Sequence, residues 1–461
     1  MTDLRDLFVH TAELAAAYRL AAADAPVAPV TDRATLLAGF GGDLPSRGVA
    51  AAEVVDELVA AAAPGLIATT GPRYFGFVIG GSLPAAAAAD MLTTAWDQPA
   101  YNEVTAPAAG AVERVAGRWL KQLLRVPASA TAGFVTGAQA ANNVGLAAAR
   151  HRVLADAGWD VERDGLIGAP RVRIVATEER HATVDRALRL LGFGTAVLEP
   201  VDTDRNGAID VEQLAAVLDA GEPAPTIVCL QAGNVNTGAF DDFERAIPLA
   251  HRVGAWVHVD GAFGLWAAAN PATSALVRGV QAADSWATDA HKWLNVPYDS
   301  GLAFCAHPDV HAAAMAYSAA YLQGSGSGSD FVLGDLTPES SRRARGFAVW
   351  AALRQLGSDG VADLVERCCR LARHAADRFT EGGAAVANEV VLNQVLVGFG
   401  GHAQLDEVVA AVQREGTCWI GATTWQGRRL MRFSVSNWTT TEADIDRSVA
   451  AVLAAAAAPR R

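Results

Sequence analysis

Long apolar runs are missing from this chain of 461 residues. A helix needs roughly 20 consecutive apolar residues to cross a bilayer, and the most apolar stretch, "PAAAAAD" (84–90), is short and merely alanine-rich. Basic charge is in short supply as well, with a formal net charge of −13. That excludes sequence-independent binding to DNA or RNA, which needs clustered Lys and Arg, and it excludes attraction to an anionic membrane surface. A locally basic pocket for a small molecule stays compatible with an acidic chain. Cysteines number five (Cys229, Cys305, Cys368, Cys369, Cys418), and none forms a CxxC pair. Buried reduced thiols are therefore expected, not disulfides or metal ligands. The N-terminal "MTDLRDLFVH" carries acids and lacks the basic start and apolar run of a secretory signal, so a cytoplasmic location is expected. Neither a P-loop nor GxGxxG is present, and "GFGTAV" (192–197) fails at its third glycine. A nicotinamide-dependent oxidoreductase, the reading that a bare α/β pattern invites, is thereby disfavoured.

What the chain does contain is alternation. The β-rich runs "RVRIVAT" (171–177), "TIVCLQA" (226–232), "AWVHVD" (255–260), "SWATD" (285–289) and "GLAFCA" (301–306) are separated by helical patterns such as "ATVDRALRLLG" (182–192) and "DFERAIPLAHRVG" (242–254). Strands alternating with helices predict a parallel sheet covered on both faces, with ligands collecting at the carboxyl ends of the strands. The length suits two or three domains. We expect an N-terminal helical segment (1–70), a large α/β domain (71–335) and a smaller C-terminal α/β domain (336–461). The last starts with the helical "ESSRRARGFAVWAALRQLG" (339–357) after the loop-like "GSGSGSD" (324–330).

Chemistry gathers at the predicted strand ends. "GFVTGAQAANN" (133–143) places small residues just before a long helix, where backbone N–H groups and the positive helix end hold an anion. "ATEERHATVDRAL" (176–188) puts His181 at a helix start, where a structural role is the ordinary one. "AWVHVDGAFG" (255–264) ends a strand with Asp260, and a carboxylate after an apolar run calls for a cationic partner. His258 shares its strand face and would make half a metal site, but no third ligand has suitable spacing, so no metal is expected. "TDAHKW" (288–293) then sets Lys292 at a strand end, where desolvation turns an amine into a nucleophile. Anion cradle, histidine, carboxylate and lysine, in that order in one α/β unit, match the needs of pyridoxal 5'-phosphate: the helix end for its phosphate, the acid for its ring nitrogen, the lysine for its aldehyde.

These motifs, together with "GPRYFGFVIGGSLPAAAAADML", "NTGAFDDF", "SSRRARGFAVWAALRQLG" and "LMRFSVSN", resemble the group II pyridoxal-phosphate-dependent amino-acid decarboxylases, the aromatic amino-acid and glutamate decarboxylase superfamily. The resemblance runs from about residue 70 to 450. It implies the α/β fold type I, aspartate aminotransferase-like, with a central mostly parallel sheet and a smaller C-terminal domain. It implies that Lys292 carries the cofactor as a Schiff base, that Asp260 pairs with the ring nitrogen and that His181 stacks on the ring face. The backbone of Ala138 and Gln139 would bind phosphate together with His291. Ala262 would pack beneath the ring, and Arg432 would meet the substrate carboxylate. It also implies a homodimer with a shared active site and, as reaction, α-decarboxylation of an L-amino acid to the amine and CO2. The aromatics Phe75, Phe77 and Trp96, with Trp419 and Trp425, mildly favour an aromatic or apolar substrate.

Two departures from the family's pattern stand out. Where relatives carry paired threonines this chain reads "AGNVNTG" (232–238), so Asn234 takes a position that contacts cofactor or substrate. The mobile loop, aligned with 325–339, has no tyrosine to protonate Cα. Phe331 is its nearest match, and Tyr317 and Tyr321 lie upstream. Aldehyde synthesis by oxidative deamination, transamination or another lyase reaction is the alternative outcome on the same fold. A non-catalytic scaffold is opposed by the intact lysine–aspartate pair.

Overall fold

The computed structural model describes residues 3–220, 223–317 and 332–458. It divides into two compact units. The larger comprises Gly80–Arg373 and Asn388–Val395. The smaller comprises Met1–Ile79, His374–Ala387 and Leu396–Arg461. The N-terminal segment thus falls with the C-terminal residues, and the larger unit runs past 335.

The larger unit is built on a seven-stranded sheet: β1 (Thr131–Val135), β2 (Arg173–Thr177), β3 (Leu198–Val201), β4 (Thr226–Gln231), β5 (Trp256–Asp260), β6 (Ser285–Asp289) and β7 (Gly301–Cys305). The order is β1-β7-β6-β5-β4-β2-β3. β7 is antiparallel to both neighbours, and the remaining pairs are parallel. Strands β4 to β7 are buried along their whole length, which is why they show no regular polar alternation. The helix Ala138–Asp156 packs on the sheet, and Leu146 and Leu154 join Ile174, Ile227, Trp256, Val184 and Leu188 in one core. Each such large apolar side chain contributes about 1.5–3 kcal/mol on burial.

Register decides what meets at the sheet's carboxyl edge. Gln231 lies opposite Asp260, and Asp260 opposite Ala287. Because β7 runs backwards, Gly301 at its start pairs with both Val135 and Asp289. The turn after β1 is thereby brought against the end of β6. That approach depends on glycine: a Cβ at Gly301 would come within 2.4 Å of the Gly137 Cα.

The smaller unit carries β8 (Ala385–Val386), β9 (Gln394–Gly398), β10 (Gly421–Trp425) and β11 (Arg428–Ser434), in the order β10-β11-β9-β8. Gln426 and Gly427, both at positive φ (46° and 74°), turn β10 into β11, the backbone twist that suits a two-residue hairpin. Phe75 stacks on Phe433 with centroids 3.9 Å apart. The helix Glu442–Ala457 starts with a reciprocal Thr441/Asp444 cap. Among the described residues no helix is long and apolar enough to cross a membrane. All five cysteines are buried and unpaired.

One feature of the larger unit makes stability depend on pH. Asp284, just before β6, accepts from His251 Nε2 (3.0 Å), His307 Nε2 (2.8 Å) and the Val257 amide (2.7 Å). Burial opposes its ionisation, but these donors outweigh burial and hold its carboxyl down to about 2. The hydrogen bond to Asp284 in turn raises the His251 pKa against partial burial. A depressed acid stabilises the fold above its unfolded value, about 3.9, and this contribution fades as pH falls toward 2. A raised histidine stabilises below about 6.5, and its contribution fades as pH rises through the folded value. Urea midpoints at pH 3, 5.5 and 8 are therefore expected to drop on substituting Asp284→Asn, most of all at pH 5.5. An equal drop at all three would contradict this reading.

Candidate active site

Val135 ends β1, and Thr136 and Gly137 lead into the helix Ala138–Asp156 with Gly137 as its extended N-cap. The first helical amide, that of Ala138, donates to Asp289 Oδ1 at 2.5 Å. Unpaired amides and the positive end of the helix dipole favour an anion here, and the carboxylate oxygen is an anion of that kind. A Cβ on Gly137 would come within 3.1 Å of the His291 ring and 3.3 Å of Asp289 Oδ1, so glycine keeps the cradle open.

β6 ends at Asp289, and Lys292 follows in the turn. Its Nζ stands 2.9 Å from Asp289 Oδ2. Asp289 is itself fixed by its backbone: its amide donates to the Ala262 carbonyl (2.9 Å), and its carbonyl accepts from Trp266 Nε1 (3.0 Å). His291 Nδ1 accepts from the Ser300 amide at 3.1 Å. The proton of the neutral ring therefore sits on Nε2, which lies 3.5 Å from Asp289 Oδ1. Burial lowers the His291 pKa despite the nearby Asp289, and Tyr298 stacks on the ring at 4.2 Å. Gly80 closes on the Lys292 turn so tightly that a Cβ there would stand 1.8 Å from the lysine carbonyl oxygen.

Asp260 ends β5 and is buried. Oδ1 accepts from the Ala262 amide (3.2 Å). Oδ2 accepts from Asn142 Nδ2 (3.1 Å) and Thr183 Oγ1 (3.5 Å). Ala262 thus links the two acids through its own backbone, its amide on Asp260 and its carbonyl on Asp289. His181 caps the helix Ala182–Leu190: Nδ1 accepts from the Thr183 amide (3.3 Å) and lies 2.9 Å from Thr183 Oγ1, one side chain away from Asp260. Gln139 follows Ala138 in the first helical turn, and its side chain donates to the Thr183 carbonyl (3.2 Å).

Asn234 follows β4. It is fully buried, its Nδ2 donates to the Glu179 carbonyl (2.9 Å), and its Oδ1 accepts from the amides of Asn236 (2.9 Å) and Thr237 (3.4 Å). Its amide thus staples the loop after β4. The half metal site also dissolves. His258 bonds to Asn142, and among the described residues no group of three His, Cys, Asp or Glu is arranged for a metal. Arg432 lies on β11 opposite Gly421, and burial lowers its guanidinium to about 10, which leaves it cationic at neutral pH. The loop 324–330, Phe331 and Tyr321 lie outside the described residues. Tyr317 is described and hydrogen-bonds to Ser340.

The donor set fits pyridoxal 5'-phosphate on three observations. The Ala138 amide already holds an anionic oxygen, Lys292 presents its amine beside it, and Asp260 is a buried carboxylate that, among the described residues, has only neutral donors. An acid so placed is costly without a cation, and a protonated ring nitrogen supplies one. Motif reading passed over Asp289, Asn142 and Thr183. Asp289 was legible as the residue three before the lysine in "TDAHKW", but nothing in the spacing says that its side chain turns back to both the lysine and the helix end.

Comparison with known proteins agrees with this chemistry. The family model described as the pyridoxal-dependent decarboxylase conserved domain matches residues 37–398. Tryptophan decarboxylase 1 of Oryza sativa subsp. japonica is 27% identical over 413 residues, covering 83% of this chain and 79% of that protein. The aromatic-L-amino-acid decarboxylase of Bacillus atrophaeus is 28% identical over 291 residues, covering 62% of this chain and 58% of that protein. The crystal structure of Oryza sativa TDC with PLP and tryptamine superposes with a TM-score of 0.91 at 23% identity, covering 98% of this chain and 97% of that one.

Proposed function

The chain belongs to the pyridoxal-dependent decarboxylase family and is a pyridoxal-phosphate-dependent amino-acid decarboxylase, and from that premise we propose that it acts on an aromatic L-amino acid. The observation that carries the substrate class is the likeness to a tryptophan decarboxylase and to an aromatic-L-amino-acid decarboxylase; the smaller unit separately presents an aromatic surface. Trp419 stacks on Tyr74 at 4.9 Å and meets Phe77 at 5.2 Å. Phe77 is 63% exposed and held at φ 54°, an uncommon conformation for a bulky residue, of the kind found where backbone strain serves a site. A large ring left in water is suited to stacking on another ring. The names of the two sequence relatives, a tryptophan and an aromatic-amino-acid decarboxylase, support the same class.

When bound, the cofactor supplies an aldehyde for the amine and a cationic ring that takes up the electron pair left by the departing carboxylate. The chain's own residues prepare that chemistry. Lys292 Nζ would be the amine that anchors the aldehyde, held in place by Asp289 Oδ2 at 2.9 Å. The Gln139 amide and His291 Nε2–H would be the donors for phosphate, joined by the Ala138 amide once it exchanges Asp289 Oδ1 for a phosphate oxygen. Asp260 would face the ring nitrogen, with His181 and Ala262 beside the ring. The partner is a second copy of this chain: Leu4, Phe8, Leu20, Leu37, Phe40 and Leu58 expose their side chains in the N-terminal helices, an apolar surface of the kind that subunit association covers. Buried, unpaired cysteines accord with the reducing cytoplasm.

The test is a product assay on purified protein with pyridoxal phosphate and a panel of amino acids. Amine and CO2 from tryptophan, tyrosine or phenylalanine, well ahead of glutamate, are expected. Activity confined to acidic substrates would remove the aromatic assignment, and peroxide with ammonia and aldehyde would identify the oxidative outcome.

A further inference from the structure

From Asp260 four polar side chains, Asn142, His258, Ser285 and Trp256, run in single file through the core. Trp256 Nε1 lies 2.9 Å from Ser285 Oγ, Ser285 Oγ 2.8 Å from His258 Nδ1, His258 Nε2 2.9 Å from Asn142 Oδ1, and Asn142 Nδ2 3.1 Å from Asp260 Oδ2. Ser285, His258 and Asn142 are wholly buried. An indole N–H can only donate, and a carboxylate can only accept. The acid end fixes two bonds in direction, Asn142 N–H to Asp260 and His258 Nε2–H to the Asn142 oxygen, the indole end fixes a third, and a neutral His258 then leaves Nδ1 to accept from Ser285. Trp256 donates to Ser285, Ser285 to His258 Nδ1, His258 Nε2–H to the Asn142 oxygen, and the Asn142 N–H to Asp260.

The row requires a proton on His258 Nε2, and burial decides that Nδ1 carries none. Burial drives the His258 pKa down to about 4, so the ring is uncharged at neutral pH. Room for the ring is made by Gly145 in the helix Ala138–Asp156, where a Cβ would stand 2.5 Å from His258 Cε1 and 2.6 Å from Nδ1. A glycine inside a helix costs about 1 kcal/mol relative to alanine, and here it has a steric reason.

We propose that His258 is a positioning residue for the decarboxylation: by donating from Nε2 it turns the Asn142 amide so that N–H, not C=O, faces Asp260, and so holds that carboxylate ionised in one orientation. Bonds aligned in one direction polarise one another, which strengthens the last donor in the row. With His258 gone, the Asn142 amide keeps Thr183 Oγ1 as a second acceptor (3.1 Å) but loses the donor that fixes its oxygen, and the barrier to setting that oxygen against the carboxylate falls. The inference rests on the assignment of Asp260 to the cofactor's ring nitrogen.

The experiment measures the dissociation constant of pyridoxal phosphate for the full chain by visible absorbance, with the thermal midpoint of the cofactor-free protein as a folding control. His258→Leu removes the donor, and Gly145→Ala displaces the ring. Each is expected to weaken cofactor binding about tenfold, the cost of one mis-set buried hydrogen bond. His258→Gln, whose amide N–H reaches the place of Nε2, is expected to recover most of that loss, which a purely space-filling role would not produce. If His258→Leu fails to fold, Gly145→Ala and His258→Gln decide the matter. Unchanged affinity in His258→Leu or, where that variant does not fold, in Gly145→Ala overturns the proposal, as does a glutamine variant as impaired as the leucine one. Asp260→Asn separates the two readings: if it binds cofactor like the wild type, the assignment of Asp260 fails; if it binds weakly while His258→Leu is normal, only the relay fails.

Discussion

Lys292→Ala is expected to lower decarboxylation by on the order of a thousandfold or more, the scale on which a positioned proton-transfer group contributes, with the loss of the covalent anchor added to it. Cofactor is no longer held covalently, and borohydride reduction of the loaded protein, which attaches the vitamer to the Lys292 peptide of the wild type, leaves that peptide unlabelled. The chain is still expected to fold. Lys292 lies in a turn, its side chain is 19% exposed, and Asp289 keeps the Ala138 amide and the approach of His291. Peptide mass after reduction and circular dichroism together check the result. Labelling of a different lysine in the wild type, or near-normal turnover by the variant, would refute the assignment.

Asp260→Asn is expected to cost about 10²–10³-fold in kcat, the range seen when a preorganised group that stabilises developing charge is removed. The substitution preserves shape and leaves Asn142 and Thr183 in place, so the fold is not expected to suffer; it also removes a buried charge that had only neutral donors. What it removes is the negative charge that keeps a ring nitrogen protonated, and an amide has no such charge at any pH. Turnover measured alongside a thermal melt separates the two effects. A melt far below that of the wild type would point to a structural role, and turnover within a few-fold of the wild type would show that the ring nitrogen has another partner.

Much of the architecture was legible because it is local. "TIVCLQA", "AWVHVD", "SWATD" and "GLAFCA" became β4 to β7, short runs rich in β-branched, aromatic and small apolar residues of the kind that fill a sheet covered on both faces. β3 was not anticipated: "LEPV" is short, and a proline and a half-exposed acid mask its pairing with β2. The hairpin β10–β11 was seen only in its second half, because Gly421–Trp425 is mostly half-exposed and carries no strong alternation. Asn234 shows a comparable limit. A polar residue after a strand is equally suited to a ligand and to a loop, and its bonds to the Glu179 carbonyl and to two amides are visible only in the tertiary structure.

By itself, the order of residues determined the alternation of strands and helices, the lysine and the acid that the cofactor needs, and membership of the family, because period and motif spacing are properties of short stretches. Only the tertiary structure decided that Asp289 spans the helix end and Lys292, and that His258 serves Asp260 through Asn142. Those contacts join residues 151 and 116 positions apart. They exist because β7 runs antiparallel between β1 and β6 and because Gly145 lets a helix settle on β5, and strand order and close approach are not written in any one segment.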